Sequence, residues 1–157
     1  ANKLNPVFQN VNLSDVMEQW VLDAQTFNPN IRLTGEIQPQ VIWRCDPDLI
    51  HQLIGNLYDN AVKYNDAKSW IHFRLHQDAN GFYLSVENPS SSPLPPDFEK
   101  LAFDRFYRGD DARSRAVDGL GLGLSLCKEI ANLHETQLFA KVKDGGIVIF
   151  TLTNAHP

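Results

Sequence analysis

The sequence predicts an α+β fold, a two-layer α/β sandwich whose mixed, mostly antiparallel sheet is covered on one face by helices. Three observations predict it. Residues 70–76 alternate apolar and polar side chains, as a strand with one buried face does. The turn signal Asp78-Ala-Asn-Gly81 follows, and then a second alternating run at 82–87, which makes a hairpin. Residues 47–64 instead repeat apolar side chains at helical spacing. Strands and helices come in mixed order with hairpins, which points to α+β rather than an all-parallel sheet. With 157 residues, 43% of them hydrophobic, the chain fills a single core.

Taken in order, the elements read as follows. A short strand near 8–13 leads to Ser14 as N-cap and a helix to about Phe27, with Trp20, Val21 and Ala24 on its buried side. Asn28-Pro-Asn30 is a turn. Strands at 31–37 and 41–45 are joined through Gln38-Pro39-Gln40. A helix starts at Pro47 with Asp46 as N-cap, the arrangement that suits proline's fixed φ and missing N–H. Strands near 69–77 and 82–87 come next. Residues 89–118 are Ser- and Pro-rich at first, then carry a short amphipathic piece at 98–106 and a charged loop at 108–118. So long a stretch inside a compact domain is usually a functional lid or binding loop. A helix and two strands, 137–143 and 147–153, close the chain.

The helix after Asp46 carries more than packing. Ile50, Leu53, Ile54, Leu57 and Ala61 fall on one face. Asn56, Asn60, Lys63 and Tyr64 fall on the adjoining one, because positions three and four apart are neighbours. Asn sits poorly inside helices, since its amide competes for backbone hydrogen bonds. An Asn carbonyl can ligate Mg²⁺, a hard cation that keeps waters beside phosphates. Lys63 can meet a phosphate as a point charge, and Tyr64 can offer its ring to a base. The competing reading is that both Asn side chains face solvent and Lys63 pairs with Asp59.

Asp118-Gly-Leu-Gly-Leu-Gly-Leu-Ser125 shifts the balance toward a metal-bound nucleotide. Glycines let backbone approach a ligand without a Cβ in the way. The N–H groups at the start of the following helix favour phosphate. The spacing fits neither the dinucleotide fingerprint nor a P-loop, whose Gly-Lys-Ser/Thr is missing.

These segments resemble the ATP-binding catalytic domain of a sensor histidine kinase, in the superfamily of gyrase, heat-shock chaperone, histidine kinase and mismatch-repair ATPases. Asn56-Leu-Tyr-Asp-Asn-Ala-Val-Lys-Tyr64 is similar to the family's N box, Phe103-Asp-Arg-Phe-Tyr-Arg108 to its F box, and Gly119-Leu-Gly-Leu-Gly123 to its second glycine box. Val86-Glu-Asn-Pro89 stands where its first glycine box belongs. The resemblance runs from about Val11 to Thr153, with the boxes in the family's order. It implies that Asn60 ligates Mg²⁺ and that Asn56 supports the metal–phosphate region. It further implies that Lys63 meets phosphate, Tyr64 lies against adenine, and Gly119, Gly121 and Gly123 frame the triphosphate. Arg108 would reach the phosphates from an ATP lid at about 89–118, with Arg105, Arg113 and Arg115 competing for that part. Catalytic roles fall on Asn56, Lys63 and Arg108. Residues 1–10 would be a linker from an upstream helical dimerisation domain, and 11–157 the catalytic domain.

Two departures stand out. The first glycine box normally reads Asp-x-Gly-x-Gly, and its Asp accepts from the adenine amino group. Here it is Asn88-Pro-Ser-Ser-Ser92, which keeps an oxygen acceptor but loses the charge and both glycines. The last glycine box is reduced to Asp144-Gly-Gly-Ile147, where Gly145 and Gly146 would form the turn before the final strand. Another difference separates branches of the superfamily. Hydrolytic members carry a Glu four residues before the Mg²⁺ Asn; Asn56 stands there, and an amide cannot act as a general base. Phosphoryl transfer is mainly positioning and charge stabilisation, so an external nucleophile can use the same site.

In the resembling family that nucleophile is a His on a separate helical domain. None of His51, His72, His76, His134 and His156 has the flanking pattern of a phosphoacceptor. His51 reads as helix surface, His72 and His76 as a solvated strand face, and His134 as a helix-end residue favoured by the dipole. Cys45 and Cys127 read as reduced core thiols. Net charge of −5 argues against nucleic acid or an anionic membrane as partner. There is no long apolar run and no signal peptide. The resemblance therefore implies ATP and Mg²⁺ as cofactors, and as partners a dimerisation and phosphoacceptor domain and a downstream response regulator. The piece itself would be monomeric, the parent a homodimer, and the location the cytoplasmic side of a bacterial inner-membrane protein. The alternative is a degenerate nucleotide-binding or docking module with weak or no kinase activity. Exposed aromatics Phe103, Phe106 and Tyr107 would anchor the lid to the core in preference to docking on the helical domain.

Overall fold

In the computed structural model the described residues are 5–65, 69–91, 93–104, 122–144 and 146–156. Arg105, Phe106, Tyr107, Arg108, Arg113, Arg115, Gly119, Gly121 and Gly145 lie outside them. The elements are β1 (Gln9–Asn12), α1 (Leu13–Phe27), β2 (Arg32–Ile37), β3 (Ile42–Cys45), α2 (Pro47–Lys63), β4 (Trp70–Asp78) and β5 (Gly81–Pro89), then α3 (Phe98–Leu101), α4 (Leu122–Leu133), β6 (Gln137–Lys143) and β7 (Ile147–Thr153). Among the described residues the main sheet has five strands in the order β2-β4-β5-β7-β6, and β1 and β3 form a separate ribbon. The β2–β4 pair is parallel and the other pairs are antiparallel. This is the mixed, mostly antiparallel sheet expected.

Alternation along each strand sorts its side chains between two faces. Phe73, Val86, Phe150 and Ala140 stand in register across four strands, and Leu75, Leu84, Leu152 and Leu138 form the next row. All eight are buried, in one core with Met17 and Ala24 of α1, Leu53 and Leu57 of α2, and Cys127 and Ile130 of α4. Fully burying each large side chain contributes about 1.5–3 kcal/mol. The opposite face is polar. His72 Nδ1 lies 2.6 Å from Thr34 Oγ1 and its Nε2 3.0 Å from Glu36, which also accepts from Arg74 at 2.9 Å. Bonds from Arg74 and His72 hold the Glu36 carboxyl below its usual range. His76 stacks on Tyr83, its register partner.

Helix α1 begins differently from the expectation. Its N-cap is Asn12, whose Oδ1 accepts from Asp15 N–H at 3.1 Å, not Ser14. Ser14 is buried, donating to Gln38 O at 2.5 Å and accepting from Val41 N–H at 3.0 Å. Both residue types cap helices well; the hydroxyl is needed inside to satisfy the strap between β2 and β3. The buried stripe of α1 is Leu13, Met17 and Ala24, with Trp20 and Val21 partly buried against the core.

The edge strand β6 is guarded by charges. Lys128 Nζ donates to Leu138 O at 3.1 Å, and Glu99 Oε2 accepts from Val142 N–H at 2.6 Å. Outward-facing ladder groups are thereby capped rather than left open to another strand. The same contacts root the segment before residue 105. Phe98 and Phe103 both pack on Phe150, and Lys128 lies 5.9 Å from the Phe103 ring centroid. Phe103 thus packs inward, as expected.

The β4–β5 hairpin turns at Gly81, where φ is +152°. A Cβ there would lie 3.0 Å from Ala155 N and still closer to the Asn154 amide oxygen, which accepts from Phe82 N–H. Gly81→Ala is expected to lower stability by about 1–3 kcal/mol through strain and displacement of Asn154, read as an earlier midpoint in urea unfolding with an unchanged slope.

Candidate nucleotide site

Two helices build the site. Helix α2 is set by Asp46, whose Oδ1 accepts from Asp48 N–H at 3.0 Å and Leu49 N–H at 3.2 Å, with Pro47 at the first helical position. Such a cap is worth about 1 kcal/mol. Leu49, Ile50, Leu53, Ile54, Leu57 and Ala61 are buried, which fixes the helix's rotation on the sheet. Gly55 lets the Trp20 ring lie close, 3.4 Å from where a Cβ would stand. The opposite side of that contact is continued by Tyr58, whose hydroxyl accepts from the Asn28 side-chain amide.

Helix α4 runs antiparallel beside α2. Three bonds trace the pairing: Asn56 Nδ2 donates to Gly123 O at 3.4 Å, Cys127 Sγ to Leu53 O at 3.6 Å, and Asp46 N–H to His134 Nε2 at 3.0 Å. The start of α4, where the glycine loop ends, therefore faces the second half of α2. Asn56 is partly buried, and its amide reaches across to Gly123. Asn60 is partly buried one turn further on, Lys63 is exposed and Tyr64 partly buried at the helix end.

The end of α2 is joined to the end of β5. Ser91 N–H donates to Tyr64 O at 2.8 Å, Asn65 and Ser90 form a β-bridge, and Ser90 N–H donates to Gly146 O at 2.7 Å. Ser90, which replaces the first glycine of the first glycine box, is thus held with Ser91 between α2 and the β6–β7 turn, and Ser92, at the second glycine position, lies outside the described residues. Asn88 is buried on the inner sheet face opposite Val148, with Nδ2 donating to Pro89 O at 2.8 Å. Asn65 donates to Trp70 O at 2.9 Å, while its Oδ1 is buried with no hydrogen-bond partner among the described residues.

Asn56, Asn60, Lys63 and Tyr64 are hence brought onto one side of α2, Gly123 opposite, and Asn88 on the neighbouring strand end. Gly123 sits within helix α4, and no described atom lies within 4 Å of where its Cβ would stand. Packing among the described residues does not require glycine at that position, and in the turn before β7 Asp144 is left-handed (φ 50°). Cys127 lies beneath the site, and burial pushes its thiol up to about 12. Cys45 is pushed up to about 12 as well, first by burial and then by Asp46. Both are neutral packing groups at physiological pH.

The chain can now be set beside known proteins. The family model described as histidine kinase-, DNA gyrase B-, and HSP90-like ATPase matches residues 45–156. The probable sensor protein PcoS of Escherichia coli is 31% identical over 127 residues, covering 79% of this chain and 27% of that protein. The sensor protein kinase WalK of Staphylococcus epidermidis is 35% identical over 119 residues, 73% of this chain and 19% of that protein. The chain thus spans only about a fifth to a quarter of the curated relatives it matches (19% and 27%). In three dimensions it is similar to the catalytic domain of histidine kinase ThkA, with a TM-score of 0.78, 22% identity and 95% of each chain covered. The mycobacterial sensor histidine kinase MprB gives 0.75 and 22%, over 96% of this chain and 99% of that one. The likeness of fold covers 95% or more of this chain, and the family match at 45–156 includes both site helices. The chain belongs to the family of histidine kinase-, DNA gyrase B-, and HSP90-like ATPases.

Proposed function

We propose that this chain is the ATP-binding catalytic domain of a two-component sensor histidine kinase. It transfers the γ-phosphoryl group of Mg-ATP to a histidine on a separate helical dimerisation domain, and the parent kinase is a membrane-anchored homodimer serving a response regulator. Residues 1–10 are assigned to the linker from that helical domain and 11–157 to the catalytic domain. None of the described helices is long and apolar enough to cross a membrane.

The observation that carries the reading is the amide of Asn56 bridging to the Gly123 carbonyl where a water-activating carboxylate would otherwise stand. An amide fixes geometry without abstracting a proton. Asn60, one turn on and partly buried, offers a neutral carbonyl oxygen of the hard type Mg²⁺ takes. Those donors fit a cation whose charge is balanced by phosphates, and Asn60 would hold it with Asn56 behind. Held there, the cation would neutralise phosphate charge. Lys63 adds a cation to the phosphates, Tyr64 a ring to the adenine, and Asn88 an amide oxygen to its amino group. Gly119, Gly121 and Gly123 frame the triphosphate, and Arg108 contacts it from the lid.

One observation favours a second reading, a docking module with weak nucleotide affinity. Asn88 spends its Nδ2 on Pro89 O in place of a charged contact, and the neighbouring serines are tied into backbone pairing. Phosphoryl transfer in trans separates the two. A helical domain carrying its acceptor histidine is mixed with this chain and labelled Mg-ATP. The kinase reading expects acid-labile phosphohistidine and little free phosphate. Tight ATP binding without labelled histidine would overturn it.

A further inference from the structure

We propose that the exposed segment at Val7–Phe8 is a strap that couples to the nucleotide helices through one buried residue, Asp46, by its carboxylate to α2 and by its backbone N–H to His134 at the end of α4. Asp46 is fully buried, and its partners include Asp48, Leu49, Val7 and His134. Its Oδ1 caps α2, its Oδ2 accepts from Val7 N–H at 2.8 Å, and its own N–H donates to His134 Nε2 at 3.0 Å. His134 is buried just past the end of α4, and its Nδ1–H donates to Ile130 O at 2.8 Å. With Nδ1 donating to Ile130 O and Nε2 accepting from Asp46 N–H, the ring ties the close of α4 to the start of α2. Phe8 sets its ring edge-on to that imidazole at 5.4 Å, and Trp43 lies against it at 5.2 Å.

The strap is peripheral while its anchor is not: Val7 is 59% and Phe8 38% exposed, against 0% for Asp46 and 9% for His134. Because α2 and α4 are antiparallel, this junction pins one end of the pair. The Asn56–Gly123 contact sits ten residues further along α2, about 15 Å away at 1.5 Å per residue. Releasing Val7 removes a donor from a buried carboxylate oxygen and loosens the group that fixes both helix ends. Their relative placement at the other end, where Asn56 meets Gly123, loosens with it. Linkage makes the effect reciprocal: whatever tightens the helix pair at the site tightens the strap by the same factor.

The nucleotide arm of the test rests on the proposed site; the first arm does not. Val7→Pro deletes the donating N–H at an exposed position, and Val7→Ala keeps it. Amide hydrogen exchange is measured without nucleotide at Asp46, Asp48 and Leu49, with circular dichroism confirming that both variants are folded. Exchange about 5- to 10-fold faster in Val7→Pro than in Val7→Ala is expected. Identical exchange in the two overturns the proposal. In the second arm Mg-ATP affinity is expected to weaken by a similar factor in Val7→Pro alone, and the Val7 amide of the native chain to exchange more slowly with saturating Mg-ATP. Faster exchange with unchanged affinity also overturns the coupling to the site. If the native chain binds no Mg-ATP, the nucleotide site is refuted while the exchange difference still supports the strap's hold on both helices.

Discussion

Asn60→Ala is expected to abolish tight Mg-ATP binding, weakening affinity by about 100-fold, roughly 2.7 kcal/mol. The side chain leaves a partly buried position on α2, one turn beyond Asn56. Among the described residues its side chain caps nothing and packs in no core row, so truncation is expected to leave the fold intact. A metal ligand removed from a hard-oxygen site takes with it the neutralisation of the phosphates. Isothermal titration with Mg-ATP, and again with ATP plus chelator, checks this. The native chain loses affinity on chelation; Asn60→Ala starts near that level and changes little further. A thermal melt within a degree or two of native keeps the loss from being one of folding.

The second large effect is on stability. Phe150 is fully buried at the centre of the inner sheet face, in register with Val86 and Ala140. Phe98 and Phe103 pack on its ring from outside the sheet. Phe150→Ala removes the ring that both the core rows and the root of residues 98–104 share. A loss of about 3–5 kcal/mol is expected, the usual range for a phenylalanine cavity, as a lowered denaturant midpoint. Because α3 leans on the same ring, its amides gain exchange beyond what global unfolding explains. Phe98→Ala, at the edge of the cluster, costs less and shows the second effect without the first.

Local chemistry made much of this fold legible. The Asp46–Pro47 helix start, the core stripe of α2, the hairpin at Asp78–Gly81 and the closing strands at 137–143 and 147–153 all stand as read, because each rests on periodicity or on one residue's backbone preference. What failed or stayed silent depends on contacts distant in sequence. Asn12 and Ser14 are comparable caps on paper, and only the burial of Ser14 under Val41 decides between them. Nothing local announces that β3 leaves the main sheet to pair with β1, or that β2 runs parallel to β4.

The site divides the same way. The face carrying Asn56, Asn60, Lys63 and Tyr64 follows from helical geometry, but Asn56's partner, Gly123, is sixty-seven residues away. Gly123 was read as a place where backbone approaches a ligand, and the chain there is ordinary helix with no described atom near its missing Cβ. His134, read as a helix-end residue, does lie just past the end of α4, and it is buried there with Asp46 as its partner. Ser90, read as a lost glycine, is bridged to Asn65, and Ser91 is bonded to the Tyr64 carbonyl. In each case the residue type was informative and its partner was not, since partner choice is set by how the helices pack on the sheet.

The central claim is tested most directly by the side-chain amide resonances of Asn56 and Asn60 in a nitrogen-15 spectrum, titrated with Mg-ATP. The account predicts that both move together, saturate at one affinity, and lose most of that response when magnesium is chelated. Resonances of Asn56 and Asn60 that stay fixed while ATP perturbs another surface would contradict it.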